Sequence, residues 1–430
     1  MTHLEHLTPR RVAAVLLVIA LCGATAVTTW ALGRGAGEPT GAPPNRVLTP
    51  DLVTNVGYQQ ALAAQPTGTP KVTVIGTGGT IAGVAESRSS FTNYRAGQIP
   101  IADLVAKLQP EIGAVADVDT IQFGNKGSGG YTIAEFHALT LAVEKALETS
   151  DGVVVTSGTD TMEEFAYWLD LTVQSPKPVV MTGAMRPTVA ESVDGPGVIG
   201  ADGPANLYNA IALAGSRVTT CFGTVLMLGD EFHAARDVTK TSSYRMDTFQ
   251  TRELGVLGWV DGPNVKVGRA PARVAACDNP RKWATPFDLS DIKAADLPRT
   301  EIVYGYQQAG GESVTAFADA GVKGIVTAGT GAGGISAAQS AARSAAAAKG
   351  VVFVSTTRTG SGSVYGGSGN VIAGDDLLPQ KARLLLMLSL AYAKGDVGQV
   401  RTWVTTIGNP EWDTLATSAG TPPGQLKPAA

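Results

Sequence analysis

The stretch KVTVIGTGGTIAG, Lys71–Gly83, decides the fold. Its opening run Lys71–Ile75 is almost continuously apolar, the pattern of a strand covered on both faces. The glycine-rich residues that follow make a tight turn, so the unit reads as a buried strand delivered into a turn. Working outward, Gly152–Thr156 (GVVVT), Val179–Thr182 (VVMT) and Thr224–Leu228 (TVLML) repeat the buried-strand pattern. Helical stretches lie between them. Thr132-Ile-Ala-Glu135 has the form of a capping box opening a helix through Leu147, and Thr161-Met-Glu-Glu164 opens another through about Val173.

A second set begins near Arg299, with candidate strands Glu301–Tyr304, Gly324–Thr327 and Val351–Ser355 and candidate helices Ser336–Lys349 and Pro379–Lys394. The expected fold is therefore α/β with two parallel-sheet domains, a larger N-terminal one over 70–275 and a smaller C-terminal one over 299–415. A linker over 276–298 joins them, and a disordered tail covers 416–430. Ligands in open parallel sheets sit beyond the carboxyl ends of strands, so the strand-to-helix turns are where chemistry is expected.

Composition narrows the function classes. The 430 residues are 44% hydrophobic, ample for a packed core, and 52 glycines with 6% aromatics suit α/β units with tight turns. A net charge of −4 leaves no basic surplus to neutralise phosphates, so no nucleic-acid partner is expected. Of the cysteines Cys22, Cys221 and Cys277, the first lies in the leader, which leaves room for one disulfide and no disulfide framework. His3, His6, His137 and His233 form no ligand spacing, and neither metal nor cofactor is expected.

At the N-terminus, Arg10 and Arg11 precede an uncharged stretch, 12–32, and Ala24-Thr25-Ala26 fits a small-x-small cleavage pattern. Residues 1–32 read as a signal peptide or membrane anchor, and 33–69 as a flexible extension. The mature protein is thus expected outside the cytoplasm (periplasmic, secreted or at the cell surface), touching membrane only through this segment if it is uncleaved.

Three segments carry candidate chemistry. In Gly76–Gly83, Ile81 breaks the G-x-G-x-x-G spacing counted from Gly76, and Val84 and Ala85 stand where a P-loop needs Lys and Ser/Thr. With both phosphate readings gone, Thr80 remains as a hydroxyl among glycines whose amides can approach a ligand and stabilise an oxyanion. From the turn alone, plain structure is the simpler reading. Ser157-Gly158-Thr159-Asp160-Thr161 places hydroxyls and a carboxylate at a helix N-terminus, where free amides suit a substrate carboxylate, although an acid there also serves the helix dipole. In Arg236-Asp237-Val238-Thr239-Lys240-Thr241, Lys240 becomes a base toward a hydroxyl if it is buried; most lysines are solvated.

Together GTGGTIAG, DGVVVTSGTDTMEEFAYWLDLTV, KPVVMTGAMRP, ADGPANLYNA and RDVTKT resemble, in order, the signature blocks of the bacterial-type L-asparaginases and glutaminase-asparaginases. The resemblance spans roughly residues 71–408. It implies an amidohydrolase that turns L-asparagine, or L-glutamine, into the acid and ammonia. By the same resemblance Thr80 is the nucleophile, Tyr94 closes over it from a loop, and Thr159, Asp160 and Lys240 form a second catalytic group. Asp160 also grips the substrate α-amino group, and Ser128 with Gly129 holds the α-carboxylate. A homotetramer with sites between the two domain types is implied as well.

Three positions depart from the family pattern. Gly129 follows Ser128 where a glutamine is common, Ala332 occupies a turn that often offers Asn or Ser, and residues 358–365 hold no acid where many members have one. A higher Michaelis constant is expected unless another group substitutes, since a charge-assisted hydrogen bond is worth about 1.5–3 kcal/mol. A catalytically silent amino-acid-binding protein is the alternative from another class.

Overall fold

The structure, a computed structural model, describes residues 46–47, 55–63 and 68–410. The expected leader over 1–32 and tail over 416–430 lie outside the described residues.

In chain order the first part contains β1 (Arg46–Val47), α1 (Val56–Ala63), β2 (Lys71–Gly78), β3 (Val84–Ala85), β4 (Tyr94–Arg95), α2 (Ile101–Ala106), β5 (Asp117–Lys126) and α3 (Ile133–Leu147). Next come β6 (Gly152–Thr156), α4 (Met162–Thr172), β7 (Val179–Thr182), β8 (Val189–Ala190), α5 (Gly203–Ser216), β9 (Thr224–Leu228) and β10 (Glu231–Ala234). Four short strands close this part: β11 (Thr239–Lys240), β12 (Phe249–Gln250), β13 (Gly258–Asp261) and β14 (Asn264–Val267). The second part holds α6 (Pro280–Trp283), β15 (Thr300–Tyr304), α7 (Glu312–Asp319), β16 (Gly324–Gly329), α8 (Ala337–Ala348), β17 (Val352–Thr357), β18 (Val371–Ala373), α9 (Pro379–Tyr392) and α10 (Val397–Thr406).

A nine-stranded sheet, ordered β1-β14-β13-β10-β9-β7-β6-β2-β5, forms the N-terminal domain. Its strands β5, β2, β6, β7 and β9 are parallel, and β10, β13 and β14 add antiparallel strands on the far side. The central strands are apolar along their length because both faces are covered. Val153 and Val155 of β6 pack with Phe136 and Val143 of α3 and Phe165 and Trp168 of α4. Val154, from the same strand, turns to the other face and packs with Leu207, Ile211 and Ala214 of α5. Each such side chain contributes about 1.5–3 kcal/mol by leaving water, enough to fix which strand lies in the centre.

A separate parallel sheet, β15-β16-β17-β18, builds the C-terminal domain. Helix α9 packs Leu384, Leu385 and Leu388 into the cluster that also holds Phe165 and Trp168 of α4, so one hydrophobic core runs from the large sheet to the small one. That continuity sets α9 behind the helix that carries the candidate site.

Two connecting segments carry packed structure. Within the N-terminal extension β1 pairs parallel with β14, and α1 buries Tyr58 completely, its hydroxyl donating to the Val218 carbonyl at 2.7 Å. One aromatic anchor with a satisfied polar tip is enough to order a short helix against a domain. The 276–298 linker is likewise packed. Trp283, Phe287 and Leu289 are buried, and Cys277 is bonded to Cys221 with their Cα atoms 5.6 Å apart, normal for a disulfide.

Candidate active site

The site forms where neighbouring strands β2 and β6 end. Gly79, at φ 80° and ψ −169°, occupies backbone space that essentially only glycine enters. A Cβ there would fall 2.2 Å from the Gly158 nitrogen, so the two turns touch backbone to backbone. Gly158 in turn lies against Ser128, where a Cβ would sit 2.8 Å from the Ser128 nitrogen. These contacts bring the turns after β2, β5 and β6 together, and the hydroxyls beside the glycines come with them.

Thr80 opens a single 3-10 turn, Thr80–Ala82, and is almost fully buried. Its Oγ1 lies 2.7 Å from the Tyr94 hydroxyl. Tyr94 is carried by β4, which pairs antiparallel with β3 immediately after the Thr80 turn; β3 is itself paired with β8. The 86–93 segment between them is thus pinned at both ends. Arg186 stacks over the Phe91 ring at 4.5 Å, and the amides of Met185 and Arg186 donate to the Asp202 carboxylate at 2.8 and 2.9 Å.

In the same cavity, Lys240 Nζ donates to Thr159 Oγ1 at 2.9 Å and to Asp160 Oδ1 at 2.7 Å. Only 12% of the Lys240 side chain is exposed, against 84% for Asp160, so the pair joins a buried cation to a solvated carboxylate. Lys240 is delivered by β11, paired with β12 through Phe249. The chain leading into β11 is tied down from the C-terminal domain. Lys381 of α9, fully buried, donates to the carbonyls of Ala235 at 2.7 Å, Arg236 at 2.9 Å and Val238. Burial pushes the Lys381 ammonium down to about 8, with Glu163 and Asp237 pulling the other way. Arg236, paired with Asp237 and Asp376, adds a second brace to the same turn.

Thr80, Tyr94, Thr159, Asp160 and Lys240 line one cavity of about 500 Å³. Ser128 and Gly129 do not. They line a separate cavity of about 300 Å³ with Thr161, Glu164 and Arg383, and Ser128 Oγ accepts the Thr161 amide at 3.1 Å. The main cavity also holds Phe91, Thr92, Glu163, Met185 and Thr241–Tyr244, which sequence reasoning does not single out. Adjacency to Lys240 is the one signal for Thr241–Tyr244; Glu163 looks like an ordinary first-turn acid. Among the described residues, none beyond Tyr244 lines it. The turn over 358–365 is held by the first domain, its Gly362 amide donating to Glu253 at 2.8 Å.

Two hydroxyls, one paired with a phenol and one with an ammonium, line one polar cavity. This arrangement suits acyl transfer to a hydroxyl. Known proteins point the same way. The family description "Asparaginase, N-terminal" matches residues 71–273, and "Glutaminase/Asparaginase C-terminal domain" matches 299–404. The chain is 39% identical to L-asparaginase 2 of Bacillus subtilis over 77% of its own length and 85% of that protein. It is 37% identical to a probable periplasmic L-asparaginase of Haemophilus influenzae over 76% of its length and 90% of that protein. The crystal structure of a probable cytoplasmic L-asparaginase from Campylobacter jejuni superposes with a TM-score of 0.70 at 36% identity, covering 78% of this chain and 99% of that one.

Proposed function

The chain belongs to the asparaginase family and is an amidohydrolase of L-asparagine, and on that premise we propose that Thr80 is the nucleophile of a threonine acyl-enzyme mechanism. In this reading Thr80 Oγ1 attacks the side-chain amide carbon and its proton passes to the leaving nitrogen. Ammonia departs, leaving an aspartyl ester on Thr80. Water then attacks the ester, giving aspartate and returning the proton to Thr80. Tyr94, 2.7 Å from Thr80 Oγ1, is the first group placed to take or return that proton. Thr159, held by Lys240, and Asp160 form the second catalytic group in the same cavity. Asp160, largely exposed, also accepts from the substrate α-ammonium, while Ser128 and Gly129 take the α-carboxylate.

The observation that carries the reading is that the Thr80–Tyr94 and Thr159–Lys240–Asp160 groups line one cavity. Ammonia release from asparagine and glutamine, measured for the wild type and for Thr80→Ala, tests it. Equal release by both proteins leaves only a binding role. Glutamine is the second substrate to assay, because a cavity of about 500 Å³ accepts one more methylene and a methylene changes selectivity by only about 1–3 kcal/mol.

Two wider features belong to the same proposal. Export is supported by the Arg10-Arg11 and 12–32 pattern and by the Cys221–Cys277 disulfide, a bond that persists in oxidising compartments. Fractionation of the native host decides it, and a purely cytoplasmic protein would refute it. A homotetramer is supported by family likeness and by the exposed rings of Tyr304, Tyr306 and Tyr365; a monomer in analytical ultracentrifugation would refute that.

A further inference from the structure

Two carboxylates line the Thr80 cavity among the described residues, and they are in opposite conditions. Asp160 is solvated and bonded to Lys240. Glu163, three residues on in the first turn of α4, has a side chain only 9% exposed, and its Oε2 is buried with no hydrogen-bond partner. The nearest cation is Lys381, whose Nζ lies 4.0 Å from Oε2. An ammonium has three N–H donors, and those of Lys381 go to Ala235, Arg236 and Val238. Lys381 therefore supplies charge that keeps an anion tolerable in this place, but no hydrogen bond.

A buried carboxylate with an empty oxygen is costly, because the water it gave up has not been replaced. Oε2 is sealed beside Lys381, so the oxygen open to a ligand is Oε1, which also accepts no hydrogen bond among the described residues and belongs to a side chain that lines the cavity. The substrate of this family carries one group suited to it: an α-ammonium with three donors, too many for Asp160, which Lys240 already engages. We propose that Glu163 is a second carboxylate contact for the substrate α-ammonium, shared with Asp160 across the first turn of α4. The proposal rests on the asparagine-hydrolase reading above. It assigns from within one chain the charge that residues 358–365 do not supply.

The test compares asparagine with succinamate, the same amide without its α-amino group, in the wild type and in Glu163→Gln. Succinamate is read as a substrate or, where turnover is too slow, as a competitive inhibitor of asparagine hydrolysis. If Glu163 binds the ammonium, the preference for asparagine over succinamate falls by about tenfold to a hundredfold, the worth of a charge-assisted hydrogen bond, and the fall lies in KM rather than kcat. A loss that strikes both compounds equally would show that Glu163 only braces α4 against α9, and no change in either would show that it meets no ligand. Glu163→Asp keeps the charge but withdraws it by one methylene, so it covers the case in which the glutamine variant does not fold. An unaltered preference in a folded Asp variant overturns the proposal. Thr80→Ala in the same assay separates the two levels: ammonia release that survives it refutes the nucleophile, whatever Glu163 does.

Discussion

Two glycine-rich turns end parallel strands in this molecule, and among the described residues of one chain only the first lines the candidate active site. The turn that closes β2, within Gly76–Gly83, and the turn that closes β16, within Ala328–Gly334, both set a threonine hydroxyl among small residues. They differ in what the glycines touch. A Cβ on Gly79 would strike Gly158 of a different turn, whereas one on Gly329 would strike Gly333 of its own turn at 2.4 Å. The second turn closes on itself, with Thr330 and Gly334 exchanging backbone hydrogen bonds at 2.7 and 2.8 Å and Thr330 Oγ1 bonded to the Gly334 carbonyl at 3.1 Å. Thr80 instead directs its hydroxyl to a phenol from another element. Glycines that let two strand ends meet build a site; glycines that only tighten a loop do not.

The contrast is tested most severely at the two hydroxyls. Thr80→Ala is predicted to lower kcat/KM for asparagine by roughly four or more orders of magnitude, as loss of a nucleophile does. Thr330→Ala, which removes a hydroxyl bonded within its own loop, stays within about twofold. Steady-state ammonia assays on both variants check this, and comparable losses would void the comparison.

Next come the glycines themselves. Gly79→Ala adds a methyl that meets backbone at 2.2 Å, so the β2 and β6 turns must separate. A displacement of about 1 Å at a reacting group costs roughly a hundredfold in rate, and kcat is expected to fall at least that far. Gly331, at φ +49°, has open space where a methyl would sit, with nothing within 4 Å, so Gly331→Ala meets only the left-handed penalty of about 1–2 kcal/mol. Urea melts and kcat values measured side by side distinguish the two; a fully active Gly79→Ala would contradict the role given to the close approach.

Acid should also separate the two domains. Burial, with help from Arg269 and Lys381, pushes the His233 imidazole down from 6.5 to about 4. The unfolded state therefore takes up this proton first as the pH falls. Stability that His233 contributes at neutral pH is lost between about pH 6.5 and 4, up to about 3 kcal/mol. His233 sits in β10 of the large sheet, while residues 299–410 contain no histidine. Denaturant unfolding at pH 7 and pH 4.5 should lose less stability in His233→Gln than in the wild type, and identical losses would count against the assignment.

Legibility in the sequence follows burial. β6, β7 and β9 have the expected bounds because strands covered on both faces must be apolar throughout. β5 escapes such a reading: Asp117–Lys126 is an edge strand, largely exposed, and its mixed residues leave no run to follow. Helix α5 is visible only as the block ADGPANLYNA, since nearly all its residues are buried and amphipathic contrast is weak. In the site, motif blocks locate Thr80, Thr159, Asp160 and Lys240, the family resemblance adds Tyr94, and the fold gathers all five. Glu163 escapes notice because its meaning depends on Lys381, more than 200 residues later, having no donor left to offer it.

The smallest effect sharpens the comparison most closely, because it concerns one sequence pattern used in two ways. Ser336-Ala-Ala-Gln339, after the silent turn, makes both bonds of a capping box, as Thr132 and Glu135 do at α3. Thr161-Met-Glu-Glu164, after the β6 turn, has the same spelling, yet Thr161 makes no side-chain cap bond and its Oγ1 is buried without a partner. Its amide is taken instead by Ser128 Oγ. An N-cap that works is worth about 1 kcal/mol, so Ser336→Ala should lower stability by about that much. Thr161→Val, which keeps the shape and removes an unpaired hydroxyl, should be close to neutral in thermal or urea unfolding. A cost of about 1 kcal/mol or more at Thr161 would mean that its hydroxyl does cap α4. The first turn of that helix would then be closed to ligands, as α8 already is.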